Sequence, residues 1–288
     1  MNKVPIAVLC AFLSLGASAQ HVDSLARKKG SIEAGLQYIS NQTYAGRADS
    51  LTLPVLMPSV KFITHSGLYI KANGYVNLSK TNSGFDGVSI EPGYQFTKKS
   101  WNGSIAFIKN FISDSSNLII APVKSSLEFY IANENKIITP SLGAEYVFTD
   151  EGNDFVVYAG LSKLFHLTQG DKEPSVNLDP AFTVTAGSQA FYYSFLQNYT
   201  THGNGKGKGR GRGNSLPPTT GQTVKTQSQQ FNLLAYAFEL PLTVTKGKFA
   251  FNLTPAMESP LNLVNKGGTG TQAAKAYVYV TAGLTVTL

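Results

Sequence analysis

Hydrophobic and polar residues alternate with a period of two along most of the chain. From Gln230 to Thr245, Leu234, Tyr236, Phe238, Leu240, Leu242 and Val244 share one face, opposite Ala235, Ala237, Glu239, Thr243 and Thr245. The last segment repeats this: Val278, Val280, Ala282, Leu284, Val286 and Leu288 stand opposite Tyr277, Tyr279, Thr281, Thr285 and Thr287. Leu68, Ile70, Ala72, Val76 and Leu78 alternate in the same way with Tyr69, Lys71, Asn73, Tyr75 and Asn77. A two-residue period places successive side chains on opposite faces of a strand.

About twelve such runs are expected, near 31–41, 53–64, 68–79, 86–97, 101–112, 121–132, 137–149, 154–167, 176–195, 229–245, 248–260 and 274–288. Most reach or exceed the 9–11 residues of a tilted membrane strand. The run at 154–167 loses phase at Lys163-Leu164-Phe165, which predicts a bulge. Turns near His65-Ser66-Gly67, 97–100, 133–136 and 245–248 are short. The connections near 42–52, 196–228 and 261–273 are long. The alternation is incomplete, since 81–85 and 149–154 are short and 168–175 is longer. Aromatic residues gather at run ends. Phe96, Trp101, Phe148, Phe155 and the Phe191–Phe195 segment are the expected girdle positions at the lipid headgroups.

Polarity decides which solvent surrounds these strands. Only 14% of the 288 residues are charged, against 42% hydrophobic and 11% aromatic. One face of the runs carries Glu33, Gln37, Lys61, Lys71, Glu91, Gln95, Lys124, Glu128, Glu145, Asp179, Glu239, Lys248, Glu258 and Lys275; the other is almost uncharged. A soluble β-sandwich has shorter strands and a more charged exterior. A closed barrel puts the apolar face against lipid and the polar face in its lumen, and leaves no unpaired edge. The expected fold is therefore all-β: a closed antiparallel transmembrane β-barrel of about twelve strands, spanning 31–288 after a short N-terminal segment at 20–30.

Residues 1–19 read as a secretory signal peptide. Lys3 leads a short apolar run, and Ala17-Ser18-Ala19 offers a small-x-small cleavage site. Cys10, the chain's one cysteine, lies in that run, so a mature chain would hold no thiol. Taken together, the chain resembles bacterial outer-membrane β-barrel proteins of the porin-like kind. The likeness is one of architecture over the whole mature chain. It implies a cell outer-membrane location reached through the periplasm, surrounding outer-membrane lipid, and a barrel-assembly machinery for insertion. That class commonly ends in an aromatic residue, whereas VYVTAGLTVTL ends in Leu288.

The candidate chemistry is sparse. Lys61, Lys71, Glu91, Lys124, Glu128, Glu145, Glu239, Lys248, Glu258 and Lys275 are candidate lumen residues that either brace the interior or line a narrow path for small polar solutes. Lys206, Lys208, Arg210 and Arg212 alternate with Gly in the long outer loop. A flexible linker explains that composition; so would a contact with lipopolysaccharide or anionic glycans, giving a surface-binding barrel. Without Lys3 and these four cations the formal charge of +7 falls to +2, so the basic balance does not call for nucleic acid. The four histidines show no metal-ligand spacing, and neither metal nor cofactor is expected. His65-Ser66, with Asn73 or Asn77, invites comparison with lipid-acting barrel enzymes, but His65 falls in a short turn. A non-enzymatic barrel is the expectation.

Overall fold

The computed structural model describes residues 30–48, 52–79, 83–113, 116–149, 152–168, 174–194, 228–263 and 276–288. The expected signal peptide lies outside them.

Twelve antiparallel strands close on themselves. In chain order the strands are β1 (Ser31–Ile39), β2 (Thr43–Tyr44), β3 (Arg47–Ala48), β4 (Val55–Ile63), β5 (Leu68–Asn77) and β6 (Gly84–Lys98). Then come β7 (Trp101–Ile112), β8 (Val123–Asn133), β9 (Thr139–Thr149), β10 (Asn153–Ser162), β11 (Phe165–Thr168), β12 (Ser175–Leu178) and β13 (Ala181–Gly187). The last are β14 (Asn232–Glu239), β15 (Leu242–Lys246), β16 (Phe249–Pro260) and β17 (Tyr277–Thr287). The wall runs β1-β4-β5-β6-β7-β8-β9-β10-β13-β14-β16-β17, and β17 pairs back onto β1. Closure leaves no sheet edge, as lipid requires.

Three wall strands are interrupted rather than ended. β11 continues β10 past Lys163-Leu164, where the sequence loses phase. β12 leads into β13 across Asp179-Pro180, and β14 into β15 across Leu240-Pro241. Each proline lacks the amide that a ladder needs. The pairings β11–β12, β12–β15 and β15–β16 carry the wall on past these breaks.

The outer surface is the apolar face. Leu36, Val60, Ile70, Ile105, Leu127, Leu142, Phe238 and Phe251 are all exposed on it. Trp101, Phe148 and Phe155 are exposed there too, with Phe148 set edge-on to Tyr146 at 5.0 Å between ring centres. An apolar exterior of this extent on a closed barrel is a lipid-facing surface.

Two expected features fall elsewhere. The run at 176–195 stops as strand at Gly187, and residues 190–194 are helical. Phe191 is therefore no girdle residue; it is fully buried. Leu234 also leaves the lipid face. The β13–β14 register shifts between Thr185 and Ala186, where Leu234 is the extra residue of a bulge, and it is fully buried.

Candidate functional site: a lumen polar at one end and plugged at the other

The short turns 64–67, 99–100, 134–138 and 247–248 all lie at the end where β1 begins and β17 finishes. Near that end the lumen is polar and partly open. Glu33, Lys61, Lys71 and Glu91 form one cross-strand row, each the direct partner of the next on β1, β4, β5 and β6. Lys61 donates to Gln95 Oε1 at 2.6 Å and lies 4.3 Å from the Tyr69 ring centre. Tyr69 donates to Glu91 Oε1 at 2.7 Å, while Lys71 pairs with Glu91 Oε2 at 4.0 Å. Lys71 and Glu91 each keep 16% of their side-chain surface, so the row remains reachable.

The other end is filled by its own loops. Thr43–Ala48 is a hairpin with a two-residue turn, Ala45 at φ +46° and Gly46 at φ +78°. Positive φ at both turn positions is the conformation whose twist suits a tight hairpin. Gly46 is required for a second reason: a Cβ there would meet Ala235 Cβ at 2.5 Å. The hairpin lies inside the mouth, where Tyr277 donates its hydroxyl to Gly46 O at 2.8 Å.

Tyr44, Leu118, Ile119, Ile120 and Phe191 are buried together, with Tyr44 and Phe191 edge-to-face at 4.6 Å. They pack on Ile39, Val55, Met57, Tyr75, Val123, Val147, Val156, Tyr158 and Leu234. Those wall residues come from β1, β4, β5, β8, β9, β10 and β14, seven of the twelve wall strands. An apolar layer thus crosses the lumen at the long-loop end.

Two charges pin this plug. Arg47 is fully buried and uses its guanidinium fork throughout. Its Nε donates to Gln189 Oε1 at 2.9 Å, and Nη1 donates to the carbonyls of Leu234 at 2.9 Å and Gly46 at 3.1 Å. Nη2 donates to Leu261 O at 2.9 Å and Asn262 O at 3.4 Å. Burial pushes the guanidinium down to about 10, so it stays charged at neutral pH. Asp154, at the start of β10, accepts from the amides of Ala190 and Phe191 at 2.7 Å each and from Ser188 Oγ at 2.5 Å. Its carboxylate satisfies the orphan amides of the helical turn that seats Phe191.

Glu145 links plug and wall. It accepts from Tyr44 at 2.9 Å and from Tyr158 at 3.1 Å. Burial, and the carboxylate beside it, push the Tyr44 phenol far up, so it remains a donor. Glu128 stands directly opposite Glu145 on the ladder. Glu239 and Glu258 are buried on the far wall, where Thr43 hydrogen-bonds Glu258.

Most of the residues singled out by sequence therefore lie in the lumen: Lys61, Lys71, Glu91, Glu128, Glu145, Glu239 and Glu258. Lys124 sits half-buried at the bulge that opens β8. Lys248 is exposed in the β15–β16 turn rather than inside, because the chain reverses there before the inward phase resumes. Lys275 lies outside the described residues, as do Lys206, Lys208, Arg210 and Arg212 of the basic loop. His65 and Ser66 lie in an exposed turn, where Ser66 bonds Thr64 at 2.9 Å. Asn73 and Asn77 are buried further along β5 and bond Ser89 Oγ and the amide of Ser79, so the structure does not bring this set together. Among the described residues no cluster of three or more His, Cys, Asp or Glu could hold a metal ion.

No protein-family model matches the chain, and no curated protein matches it by sequence. Solved structures that match it in shape include a KdgM porin, at TM-score 0.44 and 6% identity, covering 89% of this chain and 98% of that one. A NanC porin matches at TM-score 0.44 and 8% identity, covering 89% and 100%. LpxR from Salmonella typhimurium matches at TM-score 0.40 and 9% identity, covering 89% and 99%.

Proposed function

We propose that this protein is an outer-membrane barrel whose lumen offers a narrow path to small polar solutes, with cations preferred over anions. The location follows from the physics of the wall: a closed barrel with an apolar exterior is stable in a bilayer that strands, not helices, cross. The observation that carries the solute reading is the charged lumen. Glu33, Glu91, Glu128, Glu145, Glu239 and Glu258 face it, against Lys61 and Lys71 on the wall. Carboxylate-lined constrictions favour cations. The plug makes the described state a closed one, so passage requires the 43–48 hairpin and the 118–121 segment to yield.

Planar bilayers test this. The wild-type barrel is expected to give small, infrequent steps, with a reversal potential in a salt gradient that favours the cation. Arg47→Ala removes the fork that ties the hairpin to the wall and should raise open probability at least tenfold. Silence of both proteins across voltages and salts would remove the channel reading.

A further inference from the structure

At the short-turn end the outer rim carries a charge of one sign. Among the described residues, the exposed positions occupied by Asp, Glu, Lys or Arg are Lys98, Lys99, Lys136, Lys246 and Lys248. All five are lysines, and all five lie at the short turns. Glu134, half-buried, is the acid of these turns. Arg27, Lys28 and Lys29, and Asp171, Lys172 and Glu173, adjoin this end in sequence but lie outside the described residues.

Two of the turns repeat one design. Lys98-Lys99-Ser100-Trp101 closes β6–β7, and Lys246-Gly247-Lys248-Phe249 closes β15–β16. Lys98 is the direct partner of Trp101, and Lys246 of Phe249. Directly paired residues share a face of the sheet. Trp101 and Phe249 are exposed in phase with Ile105 and Phe251. Each pair therefore sets a lysine and an aromatic residue next to each other on the lipid-facing surface. The first turn position has φ +56° at Gly247 and φ +58° at Lys99. A left-handed backbone suits glycine, so the β6–β7 turn holds a cation where its counterpart holds glycine. The β8–β9 turn adds Lys136 beside Ile137, which is 81% exposed, and Lys163, just past β10, donates to the Lys136 carbonyl.

An occupant of this rim must meet ammonium groups and, next to them, side chains that face hydrocarbon. A soluble polyanion satisfies only the first demand. A phospholipid satisfies both, its phosphate taking the ammonium and its acyl chains the ring. Barrels of this architecture keep their short turns on the periplasmic side, where the surrounding leaflet is glycerophospholipid. We infer that the short-turn rim selects anionic glycerophospholipid, of the phosphatidylglycerol kind, over zwitterionic lipid, with Lys98, Lys99, Lys246 and Lys248 as its headgroup contacts. A zwitterionic headgroup brings its own cation to the phosphate and gains less from a rim of lysines. The inference rests on the barrel's place in a bilayer and not on conduction.

Electron spin resonance of the full-length protein in phosphatidylcholine vesicles tests this, with a trace of chain-labelled phosphatidylglycerol or phosphatidylcholine as the probe. The motionally restricted fraction measures how strongly each lipid associates with the barrel. Phosphatidylglycerol is expected to associate about twofold more strongly over the whole lipid shell, and the preference should shrink as sodium chloride rises. Lys98→Gln, Lys99→Gln, Lys246→Gln and Lys248→Gln combined should abolish the preference, whereas Lys→Arg changes at the same four positions should keep it. Should the fourfold Gln variant fail to insert, Lys246→Gln with Lys248→Gln alone should reduce it. Equal association of the two lipids with the wild type would overturn the inference, as would a preference undiminished in the Gln variants. Inorganic phosphate that erased the preference where chloride of equal ionic strength did not would make the rim a free-anion site and overturn the lipid reading. A protein that fails to float with the vesicles loses its bilayer placement and the rim with it. One that floats but shows no preference loses the rim alone.

Discussion

At the long-loop end of the lumen, Tyr44, Ile119, Ile120 and Phe191 meet the wall as a soluble core would, fully buried and tied by Arg47 and Asp154. At the short-turn end, Lys61, Tyr69, Lys71, Glu91 and Gln95 brace one another while keeping some surface open. The same strands, β4, β5 and β6, run through both. What differs is the loops. Turns of two to five residues cannot reach back into a barrel, whereas the 40–54, 113–122 and 188–231 connections can. The plugged half therefore behaves as a protein interior, where deletions leave cavities and orphaned polar groups. The open half behaves as a solvated surface, where they do not.

The sharpest way to break this contrast is at the centre of the plug. Phe191→Ala deletes a ring with no exposed surface, and such truncations cost about 3–5 kcal/mol. The barrel wall holds its own ladder, so the loss should show as a lower unfolding midpoint together with freer solvent access to Tyr44. Unchanged stability would mean that the loops do not form a core. A smaller step is Asp154→Asn. The amide keeps the shape but loses the charge that meets the amides of Ala190 and Phe191, and a cap of this kind contributes about 1–2 kcal/mol. Hydrogen exchange at those two amides should rise while exchange in β10 itself does not.

The contrast also explains which half could be read from sequence. Strands respond to lipid with a strict period of two, so the twelve runs, the polar interior and even the phase break at Lys163 are written in the pattern. The plug has no period. Arg47 stands in Thr43-Tyr44-Ala45-Gly46-Arg47, a stretch that reads as an ordinary outer loop. Its Ala45-Gly46 pair suits a tight hairpin turn, but nothing local says that the hairpin points inward. Aromatic residues at a strand end look alike whether they meet headgroups or a plug, and so Phe191 reads as a girdle residue and Leu234 as lipid-facing. Both are redirected by backbone events, a helical turn and a one-residue bulge, that follow from tertiary packing. Glu145 was legible as a lumen residue, but not its bond to Tyr44, which joins positions 101 residues apart.

The smallest expected effect on stability lies in the open half, and it separates folding from permeation. Lys61→Met keeps an unbranched apolar side chain and removes the ammonium that donates to Gln95 and sits over the Tyr69 ring. Lys61 is only half-buried, so the unfolding midpoint should move by no more than the equivalent of about 0.5 kcal/mol. The charge row changes far more than the fold: Glu33 and Glu91 would then face Lys71 alone across β1, β4, β5 and β6. In a barrel whose path passes this row, the reversal potential in a salt gradient should shift further toward the cation, with the shift shrinking as salt rises. An unchanged reversal potential would place the row off the path, and the braces at the short-turn end would then serve the wall alone.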